Sequence, residues 1–107
     1  MPTDNNAGRI LKSLNYTEFL RKSLREYSRR ILANRAELLR LNIERKALKM
    51  ELRELSKHPI LSLYAIMARK RLDDNLTLME KLAKEQKQIK EYHSVYSSLL
   101  CSRLPRE

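Results

Sequence analysis

From Leu20 to Leu55 apolar side chains return every three and four positions, at Leu20, Leu24, Tyr27, Ile31, Asn34, Leu38, Leu41, Arg45, Leu48, Leu52 and Leu55. Nine of these eleven are apolar, and a mean repeat of about 3.5 residues belongs to a coiled-coil helix, whereas a strand repeats every two. After Pro59 the spacing resumes through Leu61, Tyr64, Ala68, Arg71, Asn75, Leu78, Leu82, Glu85, Ile89, Tyr92, Tyr96 and Leu99. Pro59 disfavours helical geometry at His58 and brings no amide donor. Arg53, Lys57 and His58 set cations at the negative end of the preceding helix dipole.

These signals predict an all-α chain, an antiparallel helical hairpin of two long coiled-coil helices with a short N-terminal amphipathic segment. Asn15 and Glu18 have capping-box spacing, and Leu14 precedes them as a staple for Phe19, so helix one is expected to start near Tyr16. The expected organisation is a flexible tail over 1–14 with a docking segment at Ile10, Leu11 and Leu14, a hairpin over 15–101, and a flexible C-terminus over 102–107. Within the hairpin, helix one takes 15–56, the turn 56–59 and helix two 59–101. If the chain reverses at the turn, seam residues pair when their numbers add to 116, as Leu48 with Ala68 or Leu20 with Tyr96. That register sets Arg45 beside Arg71 and Glu85 against Ile31, both costly unless matched. The competing arrangement is one Pro-kinked rod that pairs with another chain.

Helix one has more apolar residues than its seam uses. Leu32, Ala36, Leu39, Ile43 and Met50 recur at helical spacing on nearly the opposite side, and Leu72, Leu76, Met79 and Ala83 make a comparable extra row on helix two. A two-helix hairpin does not cover a second face, and several exposed Leu and Met form a patch of the size associated with association. The expected partner is a helical protein or a second copy completing a four-helix bundle.

Charge adds a second surface. The chain has 23 Lys and Arg against 13 Asp and Glu, a formal charge of +10, which draws it to acidic proteins, filaments, anionic membranes or nucleic acid. Arg21, Lys22, Arg25, Arg29, Arg30, Arg35 and Arg40 crowd the first half of helix one, opposed over that span by Glu26 and Glu37. A basic leucine zipper would place such residues ahead of its leucine heptad; here Asn34-Arg35-Ala36-Glu37-Leu38-Leu39-Arg40 already contains the seam. The alternatives to a complex subunit are a nucleic-acid-binding helical dimer and a small microtubule-associated protein.

Catalysis is not expected. His58, His93 and Cys101 are the only soft metal ligands, and a hairpin holds the two histidines far apart. Asp73 and Asp74 are adjacent on a helix and point apart, unlike a paired-carboxylate site. One Gly at position 8 gives no phosphate loop. No cofactor, metal or small-molecule substrate is expected. No run approaches the ~18 apolar residues of a membrane span, and with a lone Cys and no apolar leader the expected address is intracellular, cytoplasm or nucleus.

Overall fold

The computed structural model describes the backbone of residues 3–103 and the side chains of residues 14–103. Helix α1 runs Thr3–Leu55, a short 3-10 turn covers Pro59–Leu61, and helix α2 runs Ser62–Arg103. The two helices pack against each other as a hairpin, with no strand among the described residues.

Helix α1 begins well before the expected start. Asn15 lies inside it, so the capping box at Asn15 and Glu18 does not open the helix. No Pro interrupts 3–58, and the single Gly8 costs only about 1 kcal/mol relative to Ala, less than what breaks a long helix. Residues 3–14 are therefore part of α1 and not a separate tail. Leu14 and Phe19, the proposed staple, are 61% and 53% exposed. The docking side chains Ile10 and Leu11 lie outside the described side chains, and residues 104–107 outside the described chain.

The reversal is built by local hydrogen bonds. Amides of Ser56, Lys57 and His58 donate to the carbonyls of Leu52, Glu54 and Leu55 at 3.0, 3.2 and 3.1 Å, and Leu61 donates to His58 at 2.8 Å. His58 is extended, φ −122° and ψ 96°, the conformation that a following proline favours. The Ser62 amide donates to Pro59, and α2 continues from there.

The hairpin divides into two compact units, a turn unit of Leu32–Lys87 and an end unit formed by Met1–Ile31 with Gln88–Glu107. The turn unit is closed by Leu41, Leu48, Ala68 and Leu72, all buried. Ala68 is 0% exposed; its single methyl lets the helix backbones approach where Leu41 and Leu48 fill the other side. The end unit holds five of the six aromatic residues. Tyr27 packs against Tyr92 at 6.1 Å and edge-on against Tyr96 at 5.3 Å, while Phe19 meets Tyr96 at 6.2 Å. Such tilted and edge-to-face pairs add to plain area burial. Ser28 Oγ and His93 Nε2 are 3.1 Å apart.

All eleven expected seam residues of α1 are buried or half-buried. Of the twelve expected after Pro59, seven are: Leu61, Ala68, Asn75, Leu82, Glu85, Ile89 and Tyr96. The intervening positions move on by one residue, to Ala65, Leu72, Met79, Gln86, His93 and Leu100, and Tyr64, Arg71, Leu78, Tyr92 and Leu99 are exposed. The physical reason is the spacing. Four then three residues from Leu61, in place of three then four, keeps Leu72 inside and lets Arg71 turn out to Glu51, 3.9 Å away. Arg45 and Arg71 therefore do not stack; Arg45 donates to Asn42 at 2.8 Å. In the end unit, Tyr27 with Tyr92, Ser28 with His93 and Thr17 with Arg103 carry numbers adding to about 120, a helical step from the expected 116. The reversal occupies Ser56 to Leu61, longer than the 56–59 allotted to it.

Candidate partner-binding surfaces

On α1 in the turn unit, Leu32, Leu39, Ile43 and Met50 are 65%, 62%, 62% and 67% exposed. At about 100° per residue their spacings of seven, four and seven hold them within about 40° of one another. That line lies opposite Leu41 and Leu48, which are 2% and 6% exposed. Ala36, also exposed, widens the row on one side. The other half of the expected stripe is corrected. Leu72 is 6% exposed, and Leu76 and Met79 are half-buried. They belong to the interior of the hairpin because α2 follows the four-three spacing, so the open apolar row is carried by α1 alone.

The borders of this row differ in charge. Arg35, Lys46, Lys49 and Arg53 fall along one side of it, and none has an ion-pair partner among the described residues. On the other side Arg40 is held by Glu37 and Glu44, with Nε to Glu37 at 3.1 Å and Nη1 to Glu44 at 3.1 Å. The Arg40 hydrogen bond keeps the Glu37 carboxyl below its usual range, and Glu37 in turn raises the guanidinium. The row is thus bordered by open positive charge along one edge and neutralised along the other.

In the end unit Arg21, Lys22, Arg25, Arg29 and Arg30 are all exposed. Glu18 reaches Arg21 and Arg25 at 4.0 and 3.7 Å, and Glu26 reaches Arg29 at 3.6 Å. Exposed bridges at such distances hold little energy, so the positive field persists. At the far end of α2, Arg103 stands over the Tyr16 ring at 4.6 Å.

The sequence pattern passed over a further surface. Around the turn Ile60 is 95% exposed, Leu63 64%, Tyr64 57%, Ile66 67% and Met67 50%. Pro59 to Ala68 is a run of ten residues without charge in a chain that is 34% charged, and that run is the signal that marks it. Heptad counting assigned Leu61, Tyr64 and Ala68 of this run to the seam. Beside the turn, Lys49, Leu52 and Arg53 of α1, Ser56 of the reversal, and Arg69 and Leu72 of α2 line a shallow groove of about 550 Å³.

Among the described residues no three His, Cys, Asp or Glu are placed to hold a metal ion, and no helix is long and apolar enough to cross a membrane. No family model, curated protein or solved structure matches the chain.

Proposed function

We propose that this chain is a non-enzymatic helical subunit or adaptor of a larger intracellular assembly, held through Leu32, Leu39, Ile43 and Met50 by a partner helix. The observation that supports this reading is the exposure of those four residues in one line, opposite a seam that α2 already fills. An apolar row of four large side chains in water costs about 25 cal/mol for each Å² left uncovered. A helix laid along it in ridges-into-grooves fashion removes that cost. The open edge of Arg35, Lys46, Lys49 and Arg53 favours a partner whose matching edge is acidic.

Sedimentation of the purified chain tests the reading, alone and with the complex it enters in cells. Replacing Leu39 and Ile43 by Ser is expected to release the partner, or to convert a dimer to monomers, while circular dichroism stays unchanged. A monodisperse monomer that binds no apolar dye, and whose cellular complex survives the double substitution, contradicts it.

A second reading rests on the exposed cations of the end unit, Arg21, Lys22, Arg25, Arg29 and Arg30, as phosphate contacts of a nucleic-acid-binding dimer. Anisotropy with duplex DNA and RNA decides it: affinity should fall steeply with salt and be lost on replacing Arg29 and Arg30 by Ala. No binding at low salt eliminates it.

A further inference from the structure

The apex of the hairpin differs from the apolar row of α1 in one respect that decides what it fits. Leu63, Tyr64, Ile66 and Met67, with Ile60, span about 160° of the circumference of the chain entering α2. Across the helix from that arc, Leu61 and Ala65 are half-buried and Ala68 is buried, while Ser62, between Ala65 and Ile66, is exposed. A partner helix covers one narrow sector of a helix surface. An apolar arc this wide, bordered by the exposed Ser62 and by the polar turn residues Ser56, Lys57 and His58, fits a medium that closes around it.

The backbone fits the same medium. Amides of Ser56, Lys57, His58, Leu61 and Ser62 are bonded within the turn, and Pro59 has none to satisfy. Moving the turn out of water therefore leaves those donors paired, which is the main requirement for backbone in hydrocarbon. The uncharged run is ten residues, too short to span and long enough to enter an interface.

Cations stand at the right distance behind it. At ~1.5 Å per residue, Arg53 lies about 3 Å and Lys49 about 9 Å back from the end of α1 at Leu55, and Arg69 about 10 Å back from Ser62 along α2. These three line one groove. Arg69 is 3.7 Å from Asp73 and 68% exposed, and Lys57 is 3.0 Å from Glu54, whereas Lys49 and Arg53 have no acid beside them. Interfacial segments bury their apolar face by ~5–10 Å, so an apex at that depth sets Arg53 and Arg69 at the level of lipid phosphates.

We propose that the turn docks on an anionic lipid bilayer, with Ile60, Leu63, Ile66 and Met67 entering the boundary between headgroups and acyl chains and Arg53 and Arg69 contacting the phosphates. Tyr64, amphipathic and beside the apex, sits at headgroup level as interfacial tyrosines do. The proposal uses none of the apolar residues of the α1 row, and shares with the subunit reading only Arg53 and Lys49 at its edge.

Co-sedimentation of the full chain with vesicles tests it, using phosphatidylcholine alone and phosphatidylcholine with about 30% phosphatidylserine, an anionic surface of the kind that draws basic segments. Binding is expected to the anionic vesicles and to weaken as salt is raised. Ile60→Ser with Ile66→Ser should reduce it on the order of 100-fold without loss of helicity, since both side chains are already open to solvent. Arg53→Gln with Arg69→Gln should reduce binding to anionic vesicles selectively, and Leu39→Ser with Ile43→Ser should leave it unchanged. No sedimentation with anionic vesicles overturns the proposal. So does binding that survives the double isoleucine substitution, which would make the attraction one of charge alone, or loss of vesicle binding only through Leu39 and Ile43.

Discussion

The side-chain amide of Asn75 donates to the main-chain carbonyl of Leu41 at 3.1 Å, so a polar group of α2 grips the backbone of α1 in the middle of the buried seam. Asn75 is 4% exposed and its Oδ1 has no hydrogen-bond partner. The layer thus combines one satisfied donor with one acceptor stripped of water, an arrangement that fixes position at a cost in stability.

Asn75→Leu is accordingly expected to raise stability by about 0.5–2 kcal/mol. Losing the hydrogen bond costs about 1 kcal/mol, whereas burying a leucine at this site returns about 1.5–3 kcal/mol. Denaturant titration measures the difference. A fall in midpoint would mean that the bond to Leu41 is worth more than its geometry suggests.

Adjacent residues of α2 should respond very differently to truncation. Leu72→Ala is expected to destabilise the chain by about 2–5 kcal/mol, and Arg71→Ala by no more than about 0.5 kcal/mol. Helix one gives the matching comparison: Leu41→Ala in the first range, Leu39→Ala in the second when no partner is present. Thermal denaturation of the four variants suffices. Equal losses at Leu72 and Arg71 would place the seam elsewhere.

Alkaline pH should loosen the aromatic end unit. The hydrogen bond that the Tyr27 hydroxyl shares with Tyr96 as donor, followed by burial, raises the Tyr27 phenol above its ordinary value of 10.0. The folded chain then holds that proton more tightly than the unfolded chain does. Its contribution is complete below about pH 10 and is lost as pH rises through the raised value. Melting at pH 8 and pH 11 should therefore differ more for the wild-type chain than for Tyr96→Phe. Glu37 has the opposite sign: Arg40 lowers its carboxyl from 4.5, so its contribution is present above that value and lost as pH falls through the lowered one.

Pro59 should keep the chain folded back on itself. With Pro59→Ala, His58 is released from the extended conformation and the helix gains a route straight through the turn. Cysteines placed at Thr17 and Arg103, whose Oγ1 and Nε are 3.2 Å apart, report this through a thiol cross-linker about as long as the arginine side chain, in a Cys101→Ser background. The parent should cross-link within one chain, and Pro59→Ala should give a measurable fraction of cross-linked dimers. Purely intramolecular cross-links in both would show that the rest of the turn is sufficient.

Much of this architecture is legible in the order of residues. The α1 seam is legible as one unbroken three-four repeat, although Phe19, Leu32, Leu39 and Ala47 flank it. Along α2 the choice between Leu78 and Met79, or Leu99 and Leu100, is between two apolar residues, so periodicity alone does not separate the two spacings. Arg71 beside Leu72 was the decisive pair, since burying the leucine and freeing the arginine is favoured by several kcal/mol. The exposed row at Leu32, Leu39, Ile43 and Met50 follows from α1 having a second apolar line that one partner helix leaves uncovered. The apex at Ile60 and Ile66 was hidden because a method that looks for repeats reads an unbroken apolar run as more seam. The N-terminal extent of α1 was missed because capping residues permit a helix start without requiring one.

The short reversal also orders events in time. Contacts across the hairpin join residues 34 positions apart at Leu41 and Asn75, 65 apart at Ser28 and His93, and 86 apart at Thr17 and Arg103. Closing the widest of these directly fixes a long loop before any neighbouring contact rewards it. Once the residues next to Pro59 have met, each further layer needs only one more turn of helix brought into place. Folding should therefore run like a zipper from the bend outward, and synthesis reinforces that order, because α1 waits complete while α2 is still being added. The aromatic residues around Tyr27 and Tyr96 close last, and they are the first to part when the chain unfolds.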